Sequence, residues 1–323
     1  MKLTLIFRIL MLSVVLLYPM HHLQAEEYPL KPIRIVIPFP PGGGADVLLR
    51  PLSKKLSEIL GQPIVLDNRP GANGNIGAEI VAKSIADGYT LLVGNSSIPI
   101  SVALYSRLNY DPLKELTPIT LLANTPSLLV VNPQFKARTV SELIALAKKA
   151  PGQINYGSAG IGSTPHLGME MLGLATGTKF THVPYKGSGP TVSAILGGEI
   201  DALIINTATI LPQVQAGKLI PLGTTTSNRS ALLPTVPTIG ETVTGFELNT
   251  WYGLFGPAGL PAPIIAKLNN AFAQALNAPE IRQQLISMAY EPAPSTPEAF
   301  SKLLRSDVVL WTKTIKSIGV TAE

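Results

Sequence analysis

The chain has 323 residues, enough for two domains of ordinary size with substantial cores. Apolar residues make up 46% of it and charged residues 14%, a globular composition that excludes a disordered protein. The formal charge of +5 is spread thinly, with no basic run interleaved with aromatics, which disfavours nucleic-acid binding, and the complete lack of cysteine excludes disulfides, thiolate metal sites and cysteine nucleophiles.

The first 25 residues read as an export signal. Lys2 and Arg8 supply positive charge, residues 9–17 an apolar core, and Leu23-Gln24-Ala25 a cleavage site before Glu26. The uninterrupted apolar run is shorter than the ~20 residues that a membrane span needs. Without a cysteine to carry lipid, the mature protein is expected to be unanchored, outside the cytoplasm and held together by core packing alone. Only His166 and His182 survive cleavage, so a histidine-rich zinc site is excluded, and no cofactor is expected.

The mature chain opens with a short apolar strand, residues 33–37, that runs into Pro38-Phe39-Pro40-Pro41-Gly42-Gly43-Gly44. Val47, Leu48, Leu52, Leu56, Ile59 and Leu60 then recur at helical spacing. Strand, glycine turn and helix in that order bring unpaired N–H groups and a favourable dipole to one spot, which suits an anion. The plainer reading is a tight turn that needs glycine for its backbone angles. Residues 63–67 form a second strand, followed by the turn Asn68–Asn75 and a helical face marked by Ile76, Ile80, Val81 and Ile85. Residues 89–93 form a third strand, ending at Gly94-Asn95-Ser96-Ser97. The pattern predicts an α/β fold with a mostly parallel sheet and its ligand turns at strand C-termini.

Two apolar strands, 118–122 and 128–131, lie close together, and a second α/β set follows. Residues 139–150 predict a helix, with Thr139 as cap and Glu142 completing a capping box. Strand 154–156 leads into Gly157-Ser158-Ala159-Gly160-Ile161-Gly162-Ser163-Thr164-Pro165-His166 and another helix. Strand 179–183 leads through Gly187-Ser188-Gly189-Pro190 into a helix at 191–196; strands at 202–205 and 219–224 follow. After an aromatic strand over 248–255 the chain is helical: 264–276, 279–288 and 297–318. The near-adjacent crossings around Ala123 and Leu248 predict two lobes, 26–123 with 248–323 and 124–247, flanking a cleft.

Nucleotide chemistry fails on detail. No G-x-x-x-x-G-K-[ST] occurs, Val47 stands where a dinucleotide turn needs its third glycine, and Pro165 does so after Gly160 and Gly162. A serine hydrolase lacks the G-x-S-x-G elbow, because Tyr156 precedes Ser158 by two. Ser163 and His166 open one helix, where capping and local hydrogen bonding are the ordinary roles; Asp46 first reads as a charge favoured in a first helical turn. Binding without chemistry fits better: turns from both lobes aim N–H groups and hydroxyls into one cleft suited to a small carboxylate.

At these residues the chain resembles the Bug family, the periplasmic solute receptors of tripartite tricarboxylate transporters. The matching segments include PFPPGGGADVLLR (38–50), DNRPGANGNIGAEIVAKSIADGYTLL (67–92), YGSAGIGSTPHLGMEML (156–172), HVPYKGSGP (182–190) and WYGLFGPAGLP (251–261). The resemblance covers nearly the whole mature chain. It implies a type II periplasmic-binding-protein fold, a monomer that closes two lobes on a small organic carboxylate, and delivery to membrane permease subunits. Carried over by motif, the ligand loops are Phe39 to Asp46, with Gly43, Gly44 and Ala45, and Gly160 to His166, with Gly162, Ser163 and Thr164. Asn75, Asn95 and Ser96 add contacts from the first lobe, and Gly187, Ser188 and Asn206 from the second. Many members carry an acidic residue where Ile205 and Asn206 stand here, so a ligand ammonium lacks that partner and a simple carboxylate is expected. A ligand sensor for a signalling partner and a secreted hydrolase dependent on His166 are the competing classes.

Overall fold

The structure is a computed structural model, and it describes residues 28–321. The expected export signal lies outside the described residues. Two sheets organise the chain, with strand orders β11-β4-β10-β3-β1-β2 and β7-β6-β8-β5-β9. The first joins β1 (Ile33–Ile37), β2 (Ile64–Asn68), β3 (Thr90–Asn95), β4 (Leu116–Thr125), β10 (Thr250–Pro257) and β11 (Glu291–Pro292). The second joins β5 (Ser127–Val131), β6 (Asn155–Ser158), β7 (Thr181–Pro184), β8 (Ala202–Asn206) and β9 (Ile220–Thr224).

Around them lie α1 (Gly44–Leu60), α2 (Asn75–Ala82), α3 (Ser97–Leu104), the single turn α4 (Pro112–Glu115), α5 (Val140–Lys149) and α6 (Thr164–Thr176). Then come α7 (Ser188–Gly197), α8 (Thr207–Gln215), α9 (Ala262–Asn277), α10 (Pro279–Ser287) and α11 (Pro297–Ile318). Helices α3 and α8 have no counterpart in the sequence reading. The sheets are also less parallel than expected. Strand β1 pairs in parallel with β2 and β3, and β6 with β7 and β8, but β10 runs antiparallel to β3 and β4, and β5 antiparallel to β8 and β9. The antiparallel strands are the ones that carry the chain between sheets, so they enter from the opposite end.

Both faces of the sheets are buried, and successive strand residues join opposite faces with a period of two. Ile35, Ile37, Leu91, Val93 and Leu254 face α1 and α9, whereas Val36, Leu92 and Phe255 face the other side with Val81, Phe300 and Leu304. In the second sheet Leu129, Val131, Tyr156 and Ile204 share one cluster, and Leu128, Val130, Leu203 and Ile205 the other. Helix α1 buries Leu48, Leu49, Leu52, Leu56 and Leu60 and stops at Gly61, which takes the left-handed conformation that glycine permits. Thr139 caps α5 by accepting the Glu142 N–H, but the Glu142 carboxylate accepts from Arg138 N, one residue before the cap, so the capping box is half formed.

Two segments cross between the halves. Strands β4 and β5 are separated by Pro126 alone, and Thr250, where the chain returns, pairs with Thr125. Ile100 and Leu104 of α3 pack in the same cluster as the second sheet, as do Trp311 and Ile315 of α11, whose Phe300 and Leu304 belong to the first. Phe300 is buried edge-on to Trp251 at 5.3 Å and covers Gly253, where a Cβ would lie 2.0 Å from its ring. Phe300→Ala should therefore cost about 3–5 kcal/mol in urea unfolding. A loss below about 1 kcal/mol would mean that this ring does not anchor α11.

Candidate functional site

The C-terminal ends of β1, β3, β6 and β8 meet where the chain crosses between sheets, and each feeds a turn and then a helix. Helix α1 starts after Gly43 and α7 after Gly187, neither of which has a side chain to cap with. Helix α6 starts after Ser163, whose hydroxyl donates instead to Gly160 O at 2.6 Å. The first-turn N–H groups of three helices are thus left without side-chain partners, on both sides of one cleft.

The cleft encloses a cavity of about 70 Å³, small beside the roughly 300–1,000 Å³ of an open small-molecule site. Of the expected site residues, Phe39, Gly43, Gly44, Ala45 and Asn95 line it from the first half, and Ser163, Thr164, Ser188 and Asn206 from the second. No charged side chain lines it. The halves touch at its lips: Asn73 Nδ2 donates to Gly162 O at 3.0 Å, and a Cβ on Gly187 would lie 3.0 Å from Pro40. This is a closed arrangement.

The other expected residues stand behind the wall and hold it. Asp46, 1% exposed, accepts from Gly42 N at 2.9 Å and from the Arg50 guanidinium, which folds the glycine turn onto α1. Asn75 donates to Ala72 O and Ser101 Oγ and accepts from Tyr110, bracing the short helical turn Ala72–Gly74. That turn presents Asn73 with φ 53°, a left-handed conformation that asparagine tolerates. Ser96 Oγ accepts from Trp251 N, while Asn95 Oδ1 takes the Ser97 N–H and leaves its NH₂ for the cleft. Gly160, Gly162 and Gly187 shape the turns without lining the cavity.

His166 is buried, and its Nδ1 accepts from Gly162 N at 3.0 Å. Its ring stacks on His182 at 4.0 Å, and His182 Nε2 lies 2.7 Å from Ser158 Oγ. Burial, and secondarily the neighbouring His182, pulls His166 down to about 3; burial alone pulls His182 down to about 4. Both rings are neutral at pH 7. The Ser158–His182 contact has the spacing of a nucleophile and base, but Ser158 is 0% exposed and its hydroxyl also contacts Gly160 N and O.

Several lining residues escaped the sequence reading: Asn73, Ser97, Ser127, Thr250 and Tyr252 among them. Tyr252 fills the space beneath Gly44, where a Cβ would lie 2.1 Å from its hydroxyl, and Tyr290 O–H donates to Gly44 O at 2.7 Å. Tyr252 sits mid-strand in an apolar run, and only the pairing of β10 with β3 brings it to the cleft.

The family described as "Tripartite tricarboxylate transporter family receptor" matches residues 48–320. The chain belongs to that family. Protein BugT of Bordetella pertussis is 36% identical over 299 residues, 92% of each chain. A protein encoded in the tcbD-tcbE intergenic region of Pseudomonas sp. strain P51 is 36% identical over 301 residues, 93% of this chain and 90% of its own. Among solved structures, R. palustris Rpa4515 with adipate superposes with a TM-score of 0.89 at 35% identity, covering 91% of this chain and 99% of that one. The periplasmic binding protein BugD gives 0.87 at 31% identity, covering 91% and 99%. MatC of Rhodopseudomonas palustris with bound malate gives 0.83 at 31% identity, covering 89% and 100%. The receptor therefore has the periplasmic-binding-protein fold, as its motifs implied. No helix among the described residues is long and apolar enough to cross a membrane.

The histidine pair gives the receptor a pH signature. In the unfolded chain both imidazoles take protons near pH 6.5, and in the folded chain they do so only near 3 and 4. Stability is thus fully present above pH 6.5 and is lost as pH falls below it, because the unfolded state binds more protons. The melting temperature should fall from pH 6.5 to pH 5, with a shallower slope in His166→Asn. Equal slopes would show that His166 is not held neutral by the fold.

Proposed function

We propose that this receptor captures a small organic carboxylate in the periplasm by closing its two lobes, and passes it to the membrane permease subunits of a tripartite transporter. The observation that carries this reading is the convergence of uncapped starts of α1, α6 and α7 on a cleft with no charged side chain. A carboxylate supplies the acceptors those N–H groups lack and meets the positive ends of the helix dipoles. Adipate and malate in the two related structures agree with a ligand of that class.

The lobes are residues 26–123 with 248–323, and 124–247. Closure is favoured because the ligand bonds to both lobes only when they meet, which gives it a higher affinity for the closed state. The ligand contacts are the expected lining residues together with Asn73, Thr250 and Tyr252. Export depends on the N-terminal signal with cleavage near Ala25, and the receptor acts as a monomer. It is a binding protein and not an enzyme: among the described residues the Ser158–His182 contact is sealed from the cleft, and His166 faces a backbone N–H instead of a hydroxyl.

A thermal-shift screen of adipate, malate, other small carboxylates, amino acids and amides tests this. A ligand at about 100 times its Kd adds about 2.7 kcal/mol to the folded state, so carboxylates should raise the melting temperature. A well-folded protein that answers only to non-carboxylates contradicts the reading. Gly44→Ala should abolish the carboxylate shift while leaving the unfolding cooperative, since its Cβ would displace the Tyr252 hydroxyl at the start of α1. An unchanged shift in that variant would remove α1 from the site.

A further inference from the structure

The crossing strands have a second face. Ser127, Thr250 and Tyr252 line the cleft, whereas their neighbours Pro126, Asn249 and Trp251 line a groove on the opposite side, as the strand period of two requires. The groove measures about 950 Å³ against about 70 Å³ in front, so the molecule is shut at its lips and wide behind them. One wall is α11, with Leu303, Asp307, Leu310 and Trp311; the other belongs to the second half, with Met171 and the loop 226–231. A rotation about the crossing strands that parts the lips brings these two walls together.

The chemistry of the groove is apolar and acidic. Leu310 is 56% exposed on its wall. Asp307 is half-buried, and its only hydrogen bond among the described residues comes from Trp251 Nε1, at 2.6 Å. Burial pushes the Asp307 carboxyl above its ordinary range, and the Trp251 bond offsets this only in part. Glu247 and Glu291 add two carboxylates, and the one cation among the described lining residues, Arg229, is already held by both oxygens of Glu241.

We propose that the groove behind the crossing strands is a second binding site, which takes an organic ammonium with an apolar body and is open only while the front cleft is closed, so that its occupant and the front ligand favour each other. The site itself stands on the groove; the coupling rests on the lobe-closure reading. An ammonium gives Asp307 the counter-charge that the protein withholds, in surroundings dry enough to strengthen the pair. The apolar body covers Leu303, Leu310 and Met171. A molecule seated between walls that approach each other on opening binds the closed state better, and by linkage the front ligand gains the same factor.

Both tryptophans of the chain, Trp251 and Trp311, line the groove, so intrinsic tryptophan fluorescence reads this site directly. The test is a fluorescence titration of the full mature chain at pH 7 with 2-phenylethylammonium, with neutral 2-phenylethanol and ring-less ethylammonium alongside, each with and without a saturating carboxylate. The phenylethylammonium signal should saturate, at an affinity at least about tenfold above that of either control. Asp307→Asn keeps an acceptor for Trp251 Nε1; it should remove that preference over phenylethanol while leaving the unfolding midpoint and the affinity for carboxylate alone unchanged. Carboxylate should tighten the ammonium about fivefold or more, and calorimetry should find the ammonium tightening the carboxylate by the same factor. No saturable signal, or an affinity unmoved by Asp307→Asn, overturns the site. An ammonium affinity indifferent to a carboxylate that does bind overturns the coupling. If no carboxylate binds at all, the receptor reading fails, and the ammonium titration alone still decides the site.

Discussion

A helix start leaves its first N–H groups without partners, and folding normally answers this with a side-chain cap. Thr139, Thr296 and Asn206 do so for α5, α11 and α8. The starts of α1, α6 and α7 carry no side-chain cap, like those of α2, α3, α9 and α10, but these three are drawn together at the cleft, whose walls follow from that placement. Glycine at 43 and 187 removes the side chain, and Ser163 turns its hydroxyl back onto Gly160. Glycine at 44 lets Tyr252 pack directly beneath α1. The polar groups behind the wall, Asp46 on Gly42 and His166 on Gly162, hold the turns so that the free N–H groups stay aimed.

The second constraint is the crossing. Two strands pass between sheets side by side, tied by the pairing of Thr125 with Thr250, with Pro126 as the only residue between β4 and β5. So short a connection confines relative motion of the halves to a hinge. Helices α3 and α11 cross the same gap further out and pack apolar residues on both sides. The lips meet through Asn73 and Gly162, whose positive φ of 74° and close approach to Leu104 leave no room for a side chain.

Much of this was legible in the residues. The β1–α1 unit could be read because Ile33 to Ile37 are continuous and Leu48, Leu52 and Leu56 keep helical spacing, and the same logic found β6 and α6. Helix α3 was invisible: it is apolar around its circumference, contains Pro99 and β-branched residues, and owes its helicity to burial between the halves. Helix α8 is rich in threonine and carries Pro212, which local propensity disfavours. The glycine turns marked where the site lies, but spacing could not sort residues facing the cleft from those behind it. Phe39, Asn95 and Ser188 line the cavity, whereas Asn75, Ser96 and His166 brace it. Thr250 and Tyr252 reach it only through antiparallel pairing across more than a hundred residues, for which a local pattern has no signal.

The central claim is mechanical: a carboxylate bridges helix starts on opposite lobes and so holds the cleft shut. The absence of cysteine makes a direct measurement clean. Ile76→Cys on the first lobe and Lys186→Cys on the second place labels at exposed positions beside the two lips. Inter-label distances are then measured by pulsed electron resonance, without ligand and with the tightest-binding carboxylate at saturation. The account predicts a broad or long-distance distribution that collapses to a single short distance on binding. An identical distribution at saturation would show that the carboxylate binds without closing the lobes, and would contradict it.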